Sequence, residues 1–297
     1  MDEARVWRSG SWRTAKPIDL LAYAVDRASG VRGLRRLRST RAVNRFADAV
    51  YHAQLVEESF RFGARELFDP HALSTYRPRD RPLVARIRHR TGDLYVLNEI
   101  VRHRGYDFPA EAERRLDALG RPPRVVDVGA NIGLFGIEAL NRFPQATITA
   151  FEPDPANAAV HEETIRSNGL ERRWMLIRSC AGTAAGSIDF AAQGGVGSHV
   201  ESSADSISVP IVDLFPYLQQ ADLVKMDIEG SEWPILADAR LQALDELVIV
   251  LEYHRDGCPH AEAREAALRL LGGAGFTALD VDASHQPDGT GVVWAWK

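Results

Sequence analysis

The stretch that most constrains this chain is Val125-Val126-Asp127-Val128-Gly129-Ala130-Asn131-Ile132-Gly133. Val125 to Val128 is a short, mostly apolar run with the length of one buried strand. A glycine turn follows, and then apolar residues at helical spacing, Leu134, Phe135, Ile137 and Leu140. The pattern predicts strand, tight turn and helix. Gly129 lets the backbone turn sharply at the strand's carboxyl end, and Gly133 lets the helix approach the strand or a ligand. Such turns collect ligands, because the helix start offers unpaired N–H groups beside a crevice of the sheet. The spacing is G-x-x-x-G, with Asn131 where a dinucleotide fingerprint has its second glycine. That glycine is what lets backbone approach a pyrophosphate, so NAD and FAD are disfavoured. No G-K-[ST] follows, which argues against a P-loop.

An acid on the strand, Asp127, followed by this turn suits a nucleotide-like ligand with an amino-acid end and no phosphate. S-adenosylmethionine is the common one; the competing reading is a turn that only packs helix on strand. A second anchor supports the ligand. Thr147 to Phe151 is another short buried strand, ending in Glu152-Pro153-Asp154-Pro155. An acid at the tip of the second strand of a βαβ unit accepts ribose hydroxyls. Here the competing reading is an N-cap, with Asp154 capping the helix that Pro155 starts. Both uses are compatible.

The third anchor is Asp222-Leu223-Val224-Lys225-Met226-Asp227-Ile228-Glu229-Gly230-Ser231-Glu232. A strand over Leu223 to Ile228 would put Lys225, Asp227 and Glu229 on one face. Three charges in a buried strand are costly unless paired or used. Further on, Leu247 to Leu251 ends in Glu252-Tyr253-His254, again an acid and a histidine sharing a face at a strand end. The strand Trp174 to Arg178 ends in Ser179-Cys180, where a polar group meets an adenine edge or simply ends a strand.

Around these anchors the alternation is regular: a helix over Pro155 to Asn168, one over Ser231 to Ala239, one over His260 to Leu271, and closing strands over Phe276 to Val281 and Val292 to Trp296. The glycine lead-in at Gly291 predicts that the last strand lies antiparallel beside the previous one. Ser187 to Ala191 and Ser206 to Val212 read as an extra strand pair flanking Gln193-Gly194-Gly195-Val196-Gly197-Ser198-His199. Three glycines let that loop approach a ligand, so His199 is either a substrate or base contact or an exposed loop residue.

Residues 1–120 read differently. Pro17 to Asp26 and Arg41 to Phe62 carry helical spacing, with Val43, Phe46, Val50 and Leu55 apolar. Leu83 to His89 alternates as a strand and Asp93 to His103 reads as a helix. Tyr106 and Phe108 follow directly before the core, which makes this connector a candidate lid. The net charge is +7 over residues 1–120 and −12 over 121–297, which suggests two parts with different surfaces. We therefore divide the chain into 1–120, a mainly helical region and candidate lid or substrate cap, and 121–297, the core domain. The basic run from Val31 to Arg41 reads as a solvated or docked helix face rather than a nucleic-acid or membrane surface, since no aromatic residues interleave its arginines. Two cysteines, Cys180 and Cys258, form no disulfide framework, the start Met1-Asp2-Glu3-Ala4-Arg5 is charged, and no apolar run spans a bilayer. A cytoplasmic, reduced protein is the expectation.

The anchors Val126 to Gly133, Phe151-Glu152-Pro153, Val224 to Glu232 and Leu251-Glu252 together resemble the FkbM family of class I S-adenosylmethionine-dependent methyltransferases. The resemblance covers roughly residues 93–255, including the lead-in from Asp93 to Tyr106; the first 70 residues carry none of it. It implies an α/β, Rossmann-like seven-stranded mixed sheet, its last strand antiparallel, with helices on both faces. It implies methyl transfer, and S-adenosylhomocysteine as a product. On the resemblance and position together, Asp127, Gly129, Asn131 and Gly133 are expected at the donor's methionine part and Glu152 at its ribose, with Ala130 and Pro153 as further donor contacts, Ser179 and Cys180 at its adenine, and Asp227 and Glu252 facing its methyl. Tyr106, His199, Lys225, Glu229 and Glu252 are expected at the acceptor. Candidates for proton removal are Glu252, His254, Asp227 and His199, in that order.

The expected function is therefore methylation of a hydroxyl or nitrogen of a small molecule, a specialised metabolite, with O-methylation favoured and N-methylation open. No metal is assigned: a metal held by Asp227, Glu252 and His254 is the lesser reading, because the context it needs is not visible in sequence. The runner-up functions are a methyltransferase acting on nucleic acid or protein through the arginine-rich N-terminal region, and a non-catalytic binding protein with the same fold. A small-molecule acceptor is the expected partner, nucleic acid and membrane are not, and the N-terminal helices cover the acceptor site or form a homodimer interface.

Overall fold

Strands that are apolar on both faces need helices on both sides, and this chain supplies them between the strands. The computed structural model describes residues 41–69, 73–191, 199–200, 206–280 and 289–297. The described elements begin with α1 (Arg41–Ala53), α2 (Ser59–Phe68), β1 (Leu73–Tyr76), β2 (Ala85–Arg88), α3 (Asp93–Asn98) with a π-helical turn (Glu99–His103), and α4 (Ala110–Asp117). The core follows with β3 (Arg124–Val128), α5 (Leu134–Arg142), β4 (Thr147–Phe151), α6 (Pro155–Ser167), β5 (Trp174–Ile177), β6 (Cys180–Gly182), β7 (Gly186–Ala191), β8 (His199–Val200), β9 (Ile207–Asp213) and α7 (Phe215–Leu218). It closes with β10 (Leu223–Met226), α8 (Glu232–Leu236), a 3₁₀ turn (Ala239–Ala243), β11 (Val248–Tyr253), α9 (Ala263–Gly273), β12 (Thr277–Asp280) and β13 (Gly291–Trp296).

Seven strands form one sheet in the order β12-β13-β11-β10-β3-β4-β5. The five strands from β11 to β5 run parallel, while β13 is antiparallel to both of its neighbours. This is the mixed sheet expected from the resemblance. Strand alternation splits the apolar residues between two cores. Val125, Leu223, Val248 and Val250 face one core with Leu134, Phe135 and Ile137 of α5 and Val160 and Ile165 of α6. Val126, Val128, Val224, Met226, Ile249 and Leu251 face the other with Phe215 of α7, Trp233 of α8 and Leu271 of α9. Each fully buried side chain of this kind contributes roughly 1.5–3 kcal/mol. The chain leaves β3 toward β4 on one side and returns as β10 on the other, so the crevice lies at the carboxyl ends of β3 and β10.

The order holds one feature that the closing pattern did not foresee. β13 pairs with β12, as expected, but it also inserts between β12 and β11. Its residues are buried almost throughout, so it belongs inside the sheet, and β12 takes the edge. The expected extra strands are β7 and β9, paired antiparallel through Ile188 and Val209 in a four-stranded sheet of order β6-β9-β7-β8.

Other elements are cut differently from the sequence pattern. Arg41 to Phe62 is not one helix: it breaks after Ala53, where Leu55 and Val56 turn inward and Val56 bridges to Pro78. The strand predicted over Leu223 to Ile228 stops at Met226, and Glu229 has φ 51°. The shared face of Lys225, Asp227 and Glu229 is therefore not a strand face beyond Asp227. The helix predicted over Pro17 to Asp26, the basic run up to Thr40 and the glycine loop from Gln193 to Ser198 lie outside the described residues.

The connector packs into the same core as the sheet domain. Tyr76, Ile87, Leu97 and Ile100 share a cluster with Ile132, Leu134 and Ile137. β2 lies along α6, tied by Val84 N–H to Asn168 Oδ1 at 2.9 Å and Arg86 N–H to Thr164 Oγ1 at 3.0 Å. Arg88 spans Asp93 and Asn157, at 2.6 Å to each. These bonds carry α3 and its π-helical turn across the carboxyl end of the sheet.

Candidate active site

The glycine turn is built as its residue types require. Gly129 has φ 78°, and a Cβ there would stand 1.7 Å from the Asp227 carbonyl oxygen. The residue is glycine because two strand ends meet at it. Asn131 takes φ 48°, which asparagine tolerates better than most residues. Its N–H donates to Glu152 Oε2 at 2.7 Å, and its Oδ1 accepts from Ile132 N–H at 2.8 Å. Gly133 has φ 89° and lines neither cavity described below; a Cβ there would meet the His161 ring at 2.6 Å and Trp174 at 3.1 Å. Its place among the expected donor contacts therefore rests on packing rather than on a cavity wall.

A cavity of about 660 Å³ opens beside this turn, within the usual size of small-molecule sites. Gly129, Asn131, Glu152, Pro153, Ser179, Cys180 and Asp227 line it. Glu152 sits at the tip of β4 and is buried, each oxygen accepting one backbone N–H, from Asn131 and from Asp154. Burial pushes its pKa up to about 7, against those two hydrogen bonds. Each oxygen keeps acceptor capacity for a further donor. Asp154 caps α6 through Ala156 and Asn157 N–H, with Pro155 in the first turn, so the capping use holds. Ser179 Oγ is buried with no hydrogen-bond partner, and burial raises the Cys180 thiol to about 11.

A second cavity, of about 160 Å³, adjoins the first: Gly129, Asn131, Asp227 and Glu229 line both. Its other walls include Glu99, Tyr106, Ala130, Lys225, Glu252 and His254. Lys225 donates to the Gly129 carbonyl at 2.7 Å and to Asp227 Oδ2 at 3.1 Å, and stands 3.9 Å from Asp127 Oδ1. Burial disfavours its charge, but Asp227 and Asp127 outweigh burial and hold the ammonium above its ordinary pKa. Asp127 is fully buried, lines neither cavity, and has no hydrogen-bond partner on either oxygen; burial lifts it to about 6. Tyr106 donates to Glu252 Oε2, and its hydroxyl lies 3.5 Å from Asp227 Oδ2. Burial, then Asp227 and Glu99, raise Glu252, and burial with Asp227 raises Glu99.

His254 is held from behind. Its backbone N–H donates to Glu232 Oε1 at 2.7 Å, and its Nδ1 lies 3.3 Å from the same oxygen. Burial would lower its pKa, but Glu232 and Asp227 raise it to about 9. His199 begins β8, opposite Ala191, and its side chain is outside the described residues.

One residue of the second cavity, and one directly behind it, escaped the sequence pattern. Glu99 follows Leu97 and precedes Ile100 in a helical spacing, where it reads as a solvent position; the π-helical turn carries it to the cavity wall. Glu232 reads as an ordinary acid in a first helical turn, yet it is wholly buried.

A family model described as the methyltransferase FkbM domain matches residues 127–276. A 65-residue stretch is 40% identical to the methyltransferase sdnD of Sordaria araneosa, covering 20% of this chain and 25% of that protein's length. Among solved structures, the chain is similar to a precorrin-6y C5,15-methyltransferase from Geobacter metallireducens, at 18% identity over 63% of this chain and 87% of that one, TM-score 0.39. It is also similar to an S-adenosylmethionine-dependent methyltransferase from Agrobacterium tumefaciens, at 12% identity over 76% and 70%, TM-score 0.42.

Proposed function

This chain belongs to the FkbM family of S-adenosylmethionine-dependent methyltransferases, and on that premise we propose that it methylates a hydroxyl or nitrogen of a small molecule, a specialised metabolite, with the hydroxyl favoured. The observation that carries this reading is the pair of adjoining cavities that share Gly129, Asn131, Asp227 and Glu229 at the carboxyl ends of β3 and β10. The larger suits the donor, and the smaller, acid-lined one suits the reacting part of an acceptor.

The residues of the larger cavity fit the donor on their own chemistry. Glu152 has acceptor capacity left on both oxygens for two ribose hydroxyls. Ser179 Oγ, buried without a partner, gains one from an adenine edge, with Cys180 and Pro153 beside it. The amino-acid end falls where the two cavities meet, beside the Lys225–Asp227 pair, since the N–H groups of Gly129, Ala130 and Asn131 already donate to the Phe151 carbonyl and to Glu152. S-adenosylmethionine, when bound, supplies a sulfonium-activated methyl group. The protein's part is then to fix two reactants in line and exclude water, which accounts for most of the acceleration such a site provides.

In the smaller cavity Glu252, Asp227 and, once it has lost its own proton at about pH 9, His254 are the groups placed to take the acceptor's proton, and Tyr106, Lys225 and Glu229 the groups placed to hold it. Were the acceptor a nitrogen, the same carboxylates would stabilise the cationic product. The proposal includes a cytoplasmic setting; among the described residues no helix is long and apolar enough to cross a membrane. It also includes a homodimer through the N-terminal helices, supported by Phe60 and Phe68 of α2, which are 90% and 84% exposed.

The test is to incubate the protein with methyl-labelled S-adenosylmethionine and an extract of the source cell, then separate small molecules from macromolecules. Label in a small-molecule product supports the reading. Label in nucleic acid or protein, or none at all, overturns it.

A further inference from the structure

The three groups of the smaller cavity placed to take a proton are also arranged as a ligand set, a second use that the methyl-transfer reading does not include. Asp227, Glu252 and His254 each offer one ligating atom, and the three atoms lie within 4.8 Å of one another. Each of the three has its other polar atom held by a buried neighbour. Lys225 holds Asp227 Oδ2, Tyr106 holds Glu252 Oε2, and Glu232 holds His254 at Nδ1. That leaves Asp227 Oδ1, Glu252 Oε1 and His254 Nε2, of which Asp227 Oδ1 and His254 Nε2 stand 3.8 Å apart.

The histidine is the most telling. It is only 7% exposed, yet its Nε2 faces the cavity, 3.5 Å from Glu229 Oε2 and 3.8 Å from Asp227 Oδ1. Those separations are long for hydrogen bonds. They fit an ion pair and equally fit two ligands on one ion, since metal–ligand bonds of about 2.1 Å put adjacent ligands roughly 3.0 to 3.4 Å apart and opposite ones about 4.2 Å apart. A carboxylate behind the far nitrogen of a ligating histidine is the usual way to fix its ring and tautomer. Four carboxylates, Glu99, Asp227, Glu229 and Glu252, line this cavity against the ammonium of Lys225, a balance that favours a cation there.

We propose that Asp227, Glu252 and His254, with Glu229 beside them, form a site for one divalent cation at the acceptor end of the transfer path. Two carboxylates and one imidazole suit Mn²⁺ or Mg²⁺, hard enough for oxygen and tolerant of one nitrogen. The cation would bind the acceptor hydroxyl and lower its pKa. The hydroxyl proton leaves to water, the oxygen bonds to the methyl carbon, and the electron pair of the broken sulfur–carbon bond stays on sulfur. That role rests on the methyltransferase reading; the site itself does not.

The test uses the full chain stripped with a chelator. Mn²⁺ is titrated in and followed by electron paramagnetic resonance and calorimetry, with S-adenosylhomocysteine titrated separately into the same samples. The wild type is expected to take up one Mn²⁺. Glu252→Gln and His254→Ala should each weaken it by at least about tenfold while S-adenosylhomocysteine still binds, and Glu232→Gln should weaken it by roughly tenfold. No uptake by the wild type at millimolar Mn²⁺, or equal uptake by both ligand variants, overturns the site. S-adenosylhomocysteine binding without Mn²⁺ uptake would remove the site and leave the transfer reading standing; Mn²⁺ uptake without S-adenosylhomocysteine binding would do the reverse.

Discussion

Lys225 reaches across the end of the sheet to Asp227, its ammonium 3.1 Å from Oδ2 and 2.7 Å from the carbonyl of Gly129. One cation thus ties the β10 strand end to the glycine turn after β3, with buried Asp127 opposite it in register. Lys225→Met keeps the volume and removes the charge, leaving Asp127 without its counter-ion and Asp227 with only His254, 3.8 Å away. Breaking a buried pair by removing one partner costs about 3–5 kcal/mol. Urea unfolding of the variant should show a midpoint lowered accordingly, with an unchanged m-value. An unchanged midpoint would mean that this lysine is not what holds the turn.

Glu152 should separate donor binding from fold. Its two oxygens each take a backbone N–H, and Gln offers one oxygen and an amide group that cannot accept. Glu152→Gln is expected to weaken S-adenosylhomocysteine binding by at least about tenfold, or roughly 1.4 kcal/mol, in a calorimetric titration. Equal affinity would take Glu152 out of the donor site.

The parts of this site that could be read from sequence are those that lie on a strand end. Glu152, Asp227 and Glu252 each follow a short apolar run and precede a turn or a polar break, so period and punctuation locate them, whereas Asp127, read the same way, lies beneath the turn and lines neither cavity. What could not be read depends on contacts between distant segments. Glu99 reaches the cavity only because α3 continues into a π-helical turn, and nothing in Glu99-Ile100-Val101 distinguishes that from an α-helix. Glu232 is an acid in a first turn until the β11 end folds over it and brings His254 N–H to its carboxylate. The place of β13 between β12 and β11 is a matter of burial across the whole sheet, which a local pattern does not encode.

Gly133 illustrates the same point and yields a prediction. Local pattern gives it a turn or a ligand; the structure puts the His161 ring 2.6 Å from where its Cβ would be. Gly133→Ala should cost about 1–3 kcal/mol by overpacking, beyond the strain of φ 89°. His161→Ala in the same chain should recover part of that loss, and a double-mutant cycle in urea measures the coupling. Strict additivity of the two changes would refute the contact.

His161 also sets a pH dependence of stability. It is wholly buried, stands edge-on to Trp174 at 5.1 Å, and neither ring nitrogen has a hydrogen-bond partner. Burial pulls its pKa down to about 3 from the ordinary 6.5. The folded-state value lies below the unfolded one, so the unfolded chain takes up the proton first as the pH falls. Stability is therefore full above pH 6.5 and is lost progressively from 6.5 toward about 3, at up to about 1.4 kcal/mol per pH unit from this group. His161→Phe removes the titration. Urea midpoints of wild type and variant at pH 7.5, 6 and 5 should converge or cross as the pH falls, because only the wild type loses this contribution. Parallel midpoints across that range would mean that His161 takes up its proton in the folded state as readily as in the unfolded chain, and that the ring is not sealed beneath the glycine turn.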